Sequence, residues 1–155
     1  FHLTLAQRLA EDERWSAALR EVERGLQADP RSGSLNRLRG QILVRQERVV
    51  EAIAAYETAL ETYGRHPDIL HNLGALHGRR GDHERALALF LEARRLRPRD
   101  PPLLRDLGIA LWQTGRHAGA REVWREALSL RPRDPQLQGL LQLPLPQDGS
   151  AAMGN

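Results

Sequence analysis

Apolar residues along the chain return at spacings of three and four, and the runs they define come in pairs. Around residues 70–98, Leu70, Leu73, Gly74 and His77 mark one face of a helix. Gly81-Asp82 interrupts the run, because Gly accepts backbone angles that other residues avoid and Asp is suited to cap the next helix. Ala86, Leu87, Phe90, Ala93 and Leu96 then form the apolar stripe of a second helix, which Pro98 stops. Gly74 and Ala86 fall on the inner faces of the two helices. Small side chains there let the backbones approach, and Phe90 fills the space beside them. One such pair leaves an apolar face uncovered, so the pattern requires neighbours.

The neighbours recur at a fixed interval. Moving 34 residues forward, Gly74 becomes Gly108, Gly81 becomes Gly115, Ala86 becomes Ala120, Phe90 becomes Trp124, Ala93 becomes Ala127 and Pro98 becomes Pro132. Moving 34 back gives Gly40, Glu47, Ala52, Tyr56, Ala59 and Gly64. One further step gives Ala6, Glu13, Ala18, Val22, Gly25 and Pro30. Alanine thus fills one slot at residues 18, 52, 86 and 120. The pattern predicts helix pairs at 2–11 and 15–28, 34–46 and 49–63, 68–80 and 83–97, and 102–114 and 117–131. Asp29 to Ser34, Tyr63 to Asp68, Arg97 to Pro102 and Arg131 to Pro135 break the pairs apart, with Ser34 as a cap for the helix it opens. A short helix at 136–142 would cover the last apolar face with Leu137, Leu140 and Leu141. Leu143-Pro144-Leu145-Pro146 excludes helix, and Gln147 to Asn155, small and polar, is expected to be disordered.

This spacing and slot pattern resembles the tetratricopeptide repeat family, whose unit is a 34-residue helix–turn–helix. The resemblance rests on Leu73-Gly74, Ala86, Phe90, Ala93 and Pro98 and on their equivalents Leu107-Gly108, Ala120, Trp124, Ala127 and Pro132. It implies an all-α fold, a right-handed α-solenoid of four repeats with a short C-terminal capping helix. The expected domain is 1–142, with repeats at about 1–32, 33–66, 67–100 and 101–134, a cap at 135–142 and a flexible tail at 143–155. The second repeat departs most, with Asn36 and Arg39 where its neighbours have leucine and Gly64 in place of proline. These departures are expected to weaken that repeat.

Charge changes the picture less than the pI of about 10.4 suggests. The chain has no lysine, so all 23 basic residues are arginine, whose high pKa inflates the pI, and the net charge is +3. Acids and bases alternate along the helices, as in Glu21, Glu23, Arg24 and Glu122, Arg125, Glu126, the pattern of a solvated face rather than a nucleic-acid stripe. There is no cysteine, hence no disulfide framework and no thiol catalysis. No apolar run approaches the ~20 residues of a membrane span. The expected setting is soluble, in cytoplasm or periplasm. The only methionine is Met153, and further sequence is expected upstream of Phe1.

Site chemistry is sparse. Without lysine there is no phosphate-binding loop of the usual kind and no Schiff base. His83-Glu84-Arg85-Ala86-Leu87 starts like a zinc-protease helix but has Leu87 where the second histidine belongs. No two histidines have ligand spacing on one helix face, and His77 takes an inward slot that holds Leu43 and Leu111 in other repeats. Neither an enzyme activity, a cofactor nor a metal is expected.

What the resemblance does imply is a concave face, lined by the first helix of each repeat, that takes a peptide or a helix. Its residues here are Arg37, Gln41 and Arg45, then His71, Asn72 and Arg79, then Arg105, Ile109, Trp112 and Gln113, with Leu3, Gln7, Glu11, Ala75 and Asp106 beside them. Four-residue spacing puts each set on one stripe. Trp112 is expected to be exposed there, free of any packing duty, whereas Trp15 sits at a turn. The family's carboxylate clamp for acidic chaperone tails has a lysine and an asparagine where this chain has Arg37 and Gln41, and its next asparagine matches Asn72. Its last lysine and arginine fall on Pro102 and Asp106, and an acid there repels a carboxylate, so chaperone-tail binding is not expected. The resemblance points to a non-enzymatic protein–protein interaction module, an adaptor or scaffold. Its expected partner is a protein segment with acidic residues and an apolar anchor, without nucleic acid, and self-association through repeat ends is an open possibility. The alternative is a docking domain of a larger enzyme or of a secretion or pilus-type assembly whose other parts lie upstream.

Overall fold

A computed structural model describes residues 1–146, and the disorder expected for 147–155 lies outside the described residues. The chain divides into two compact units, 1–98 and 99–155. The first contains α1 (His2–Glu11), α2 (Trp15–Ala28), α3 (Gly33–Arg45), α4 (Val49–Tyr63), α5 (Pro67–Arg79) and α6 (His83–Leu96). Here α1 packs on α2, α3 on α4 and α5 on α6, and the pairs adjoin through α2 against α3 and α4 against α5. The second unit contains α7 (Pro101–Gln113), α8 (His117–Leu130) and α9 (Pro135–Leu141). In it α7 packs on α8, and α9 covers α8 as the expected capping helix, burying Leu137. The described residues contain helices and no strand, and no helix among them is long and apolar enough to cross a membrane.

Three of the four pairs are closed by a ring on a glycine. Ala18, Ala52, Ala86 and Ala120 are fully buried. Tyr56 lies against Gly40, Phe90 against Gly74 and Trp124 against Gly108, so tightly that a Cβ on these glycines would meet the rings at 2.9, 2.7 and 2.1 Å. Such distances leave no room for a methyl group. The first pair carries Ala6 and Val22, both fully buried: a smaller side chain on α2 leaves space for a larger one on α1.

The turn inside each pair is built alike from different residues. Glu13, Glu47, Gly81 and Gly115, one per pair, all have positive φ, at 56°, 60°, 86° and 79°. The amide that follows each donates to a carbonyl five residues back, as in Arg14 to Leu9 at 2.8 Å and Asp82 to His77 at 2.9 Å. This is the left-handed closure that ends many helices and that glycine adopts without steric cost. The expectation that the Asp82 side chain caps α6 is not met: no side chain caps that helix, and Asp82 Oδ2 instead meets His77 Nδ1 at 3.3 Å. Likewise α3 begins at Gly33 after Ser32, while Ser34 hydrogen-bonds the Tyr63 hydroxyl. Between pairs, proline opens α5, α7 and α9, where its missing N–H costs nothing. Asp134 caps α9 by accepting from the amides of Gln136 and Leu137 at 2.9 and 3.2 Å.

The second repeat accommodates two of its three departures. Buried Asn36 donates to the carbonyls of Pro30 and Ser32 at 3.0 and 3.1 Å, tying down the turn before it. Gly64 has φ +68° and ψ −146°, a conformation open essentially to glycine alone, which lets α4 run to Tyr63 before the chain reverses. Arg39 is compensated only in part: its Nε is buried without a hydrogen-bond partner among the described residues, while its charge acts on the Glu51 carboxylate.

Candidate functional site

In the first unit, the apolar stripes that bury one face of α3 turn Arg37, Gln41 and Arg45 outward at four-residue spacing. They border a cavity of about 580 Å³, which Gln7 and Glu11 of α1, Trp15 of α2, Tyr56 of α4 and Asn72 of α5 also line. Tyr56 comes to it through the packing of its ring on Gly40, with only 1% of the residue exposed. Burial pushes its hydroxyl pKa up, and the nearby Arg37 charge acts in the opposite sense. Arg45 lies over the Trp15 ring, 5.8 Å from its centroid. Among the described residues, the polar ends of Arg37, Gln41, Tyr56 and Asn72 have no hydrogen bond or ion pair within the protein. Convergent polar groups that the fold leaves unsatisfied, beside aromatic surface, are the composition of a binding site.

The structure thus brings Arg37, Gln41, Arg45 and Asn72 together and leaves other expected residues apart from them. His71 packs edge-on against Phe90 with ring centroids 5.6 Å apart, and Arg79 is exposed at the end of α5 outside the cavity. His77, expected as a filler of the core, is mostly buried, but its ring is fixed by Asp82 and its Nε2 has no partner among the described residues. Trp15, expected at a turn, opens α2 and lines the cavity, and Tyr56, buried as its slot predicts, lines it as well. A signal for Tyr56 is its hydroxyl, a polar tip that Val22 and Phe90 lack in the same slot.

The second unit corrects the expectation for Trp112. Rather than standing free, its indole stacks on Trp124 at 5.6 Å and 30° and meets the His117 ring edge-on at 4.6 Å. A long side chain on the outward stripe has folded back onto the core ring, whose Nε1 donates to the Arg105 carbonyl at 3.1 Å. Arg105 is engaged as well, donating to Asp106 and to Gln136 at 3.0 Å each. Ile109 is 38% exposed and lines a shallow depression with Leu140 and Leu143, while Gln113 is exposed.

Ion pairs elsewhere in the first unit are structural. His2 and Arg24 both bond the buried Glu21, at 3.1 and 2.5 Å, and hold its pKa below the usual carboxylate value. Arg97 does the same for Asp68 at 2.6 Å across the α5–α6 pair.

Two sequence models of the tetratricopeptide repeat match the chain, one over residues 32–99 and one over 71–135. The chain belongs to the tetratricopeptide repeat family. The first pair lies before both matches and carries the same buried alanine and left-handed turn, at Ala18 and Glu13. Solved structures with this tetratricopeptide fold agree with nearly the whole chain. MamA of Desulfovibrio magneticus RS-1 has a TM-score of 0.85 at 17% identity, over 90% of this chain and 79% of that one. PilF of Pseudomonas aeruginosa gives 0.78 at 21% identity, over 90% and 64%. A tetratricopeptide repeat protein of Parabacteroides merdae gives 0.79 at 18% identity, over 90% and 56%. At these identities the likeness is one of fold, the all-helical α-solenoid class. No curated protein sequence matches the chain. The tetratricopeptide repeat is a protein-interaction module and is in general non-catalytic.

Proposed function

We propose that the protein works without catalysis as an adaptor, residues 1–142 forming its repeat domain, and that the cavity of the first unit holds a segment of a partner protein. The observation that carries this reading is a set of polar side chains, Arg37, Gln41, Tyr56 and Asn72, that line one cavity and make no hydrogen bond among the described residues. Arg37, Gln41 and Asn72, which keep contact with solvent, cost little while hydrated and reward a partner that satisfies them. Trp15 and Arg45 supply the aromatic and cationic surface typical of residues that anchor partners. Acidic segments fit best, because Arg37 and Arg45 present forks suited to carboxylates. Trp112, stacked on Trp124, is no longer the proposed anchor. Ile109 with Leu140 and Leu143 forms an apolar patch of the second unit.

A peptide-display selection against the chain tests the reading. Enriched peptides are expected to bind the natural protein and to lose at least tenfold in affinity against Gln41→Trp, which fills the cavity from an exposed position, and against Arg37→Glu. Unchanged circular dichroism must accompany the loss. Equal binding to both variants would move the site elsewhere on the molecule.

A further inference from the structure

Resting on that cavity reading, the geometry points to a narrower occupant: an extended, internal segment of a partner protein with two acidic side chains four residues apart, one on Arg37 and one on Arg45. The two arginines lie eight residues apart on α3, which at 1.5 Å per residue separates their Cα atoms by about 12 Å along the helix. With Arg45 held over Trp15, a partner that leaves both side chains in place meets them with separate carboxylates. An extended chain rises about 3.3 Å per residue and turns alternate side chains to the same side, so residues four apart present two acids at about 13 Å. A helical partner would need acids about eight residues apart to cover the same distance.

The carboxamides decide between these shapes. Gln41 lies between the two arginines on α3 and Asn72 lines the same cavity, and neither is hydrogen-bonded within the described residues. A carboxamide offers donors and an acceptor together, which matches the free N–H and C=O groups of an extended main chain. A helix satisfies those groups internally and has no use for them.

Arg45 is prepared for its acid. Its guanidinium carbon lies over the Trp15 ring, 5.8 Å from the centroid, and no acid among the described residues pairs with it. Planar stacking combined with edge donation is what arginine does and lysine does not. Glu11 sets a limit on the partner. Its carboxylate lines the same cavity without a cation of its own among the described residues. A backbone charged at every step, as in nucleic acid, would bring anions against it, whereas a protein segment can be neutral or basic there.

The test uses N-acetylated, C-amidated fluorescent peptides and anisotropy with the full chain. The peptides carry two glutamates at spacings of three, four and eight, the four-spaced one with a proline between them and the eight-spaced one in a helix-forming background. The four-spaced peptide is expected to bind at least tenfold tighter than the others. Arg45→Gln is expected to cost nothing further once the matching glutamate is removed, and Arg45→Lys and Trp15→Leu are expected to weaken only the doubly acidic peptide. Preference for the eight-spaced helix, equal binding at all spacings, a requirement for a free C-terminus, or equal binding of an oligonucleotide of the same charge would each overturn the inference. If none of the peptides bound while displayed peptides still depended on Gln41 and Arg37, the spacing would be wrong and the cavity reading would stand. If neither set depended on the cavity, both would fall.

Discussion

Substituting Gly108 by alanine probes the ring-on-glycine packing where it is tightest. The new methyl would lie 2.1 Å from Trp124 Nε1 and 2.4 Å from Cδ1. That is roughly 1.5 Å short of a comfortable heavy-atom contact. The indole is fully buried and stacked on Trp112, so it cannot retreat without displacing a neighbour. Overpacking of this kind costs about 1–3 kcal/mol. Losing the bond from Nε1 to the Arg105 carbonyl adds about 1 kcal/mol, and the helix preference of alanine over glycine returns about as much. The expected net loss is about 2 kcal/mol, or about 4–8 °C in melting temperature for a chain of this size. Urea titration followed by far-ultraviolet circular dichroism and by tryptophan fluorescence measures it. The decisive variant is the double one, Gly108→Ala with Trp124→Val, which rebuilds in the last pair the Ala6–Val22 combination of the first. Trp124→Val alone leaves a cavity, and the alanine methyl fills part of it. The two changes are therefore expected to couple favourably by about 1–3 kcal/mol. Additivity within about 0.5 kcal/mol, the scatter of independent sites, would refute the claim that Gly108 is there for Trp124.

Glu47→Gly is expected to raise stability by up to about 1 kcal/mol in denaturant titration, because Glu47 occupies a left-handed turn at φ 60° that glycine enters without strain, and Gly81→Ala is expected to lower it by a similar amount. Glu21 and Asp68 have pKa values lowered from ordinary values of 4.5 and 3.8, so the stability they contribute is complete above that range and disappears as pH falls through their folded-state values. Acid titration of Glu21→Gln should accordingly show a shallower acid limb than the natural chain. Trp112→Ala is expected to cost about 1–2 kcal/mol and to alter the near-ultraviolet dichroism of Trp124, since an aromatic pair of this kind contributes about 0.5–1.5 kcal/mol beyond its burial. An unchanged melt would restore Trp112 as a free surface residue.

The repeat, its helix pairs and its buried rings were legible because the 34-residue slots are filled by residues whose size alone dictates the contact, such as Gly74 against Phe90. Helix limits agree with the pattern to within one residue for the same reason: proline and glycine sit at the ends. The turn at Glu13 and Glu47 was half-legible, since their equivalents Gly81 and Gly115 announce a positive φ that two glutamates then adopt. The candidate surface was harder to read. Helical periodicity assigns a face to a Cα, but it does not say where a long side chain ends. Trp112 folds back onto Trp124, Arg105 turns to Asp106 and Gln136, and Trp15 reaches the cavity from the start of its helix. Only short or rigid side chains carry the periodicity through to their tips.

The closure of each ring on a glycine of its own pair has a consequence for how such a chain can be recombined. Both halves of the match lie within about twenty residues, on consecutive helices, so a whole pair can be duplicated, deleted or exchanged as a cassette with its fit preserved. A crossover between the two helices of a pair is another matter. Joining α1 to the helix that carries Tyr56 would set the Ala6 methyl where Gly40 offers only a hydrogen, at a point where a Cβ comes within 2.9 Å of the ring. Viable chimaeras of this protein are therefore expected to have their seams at the proline-marked turns between pairs.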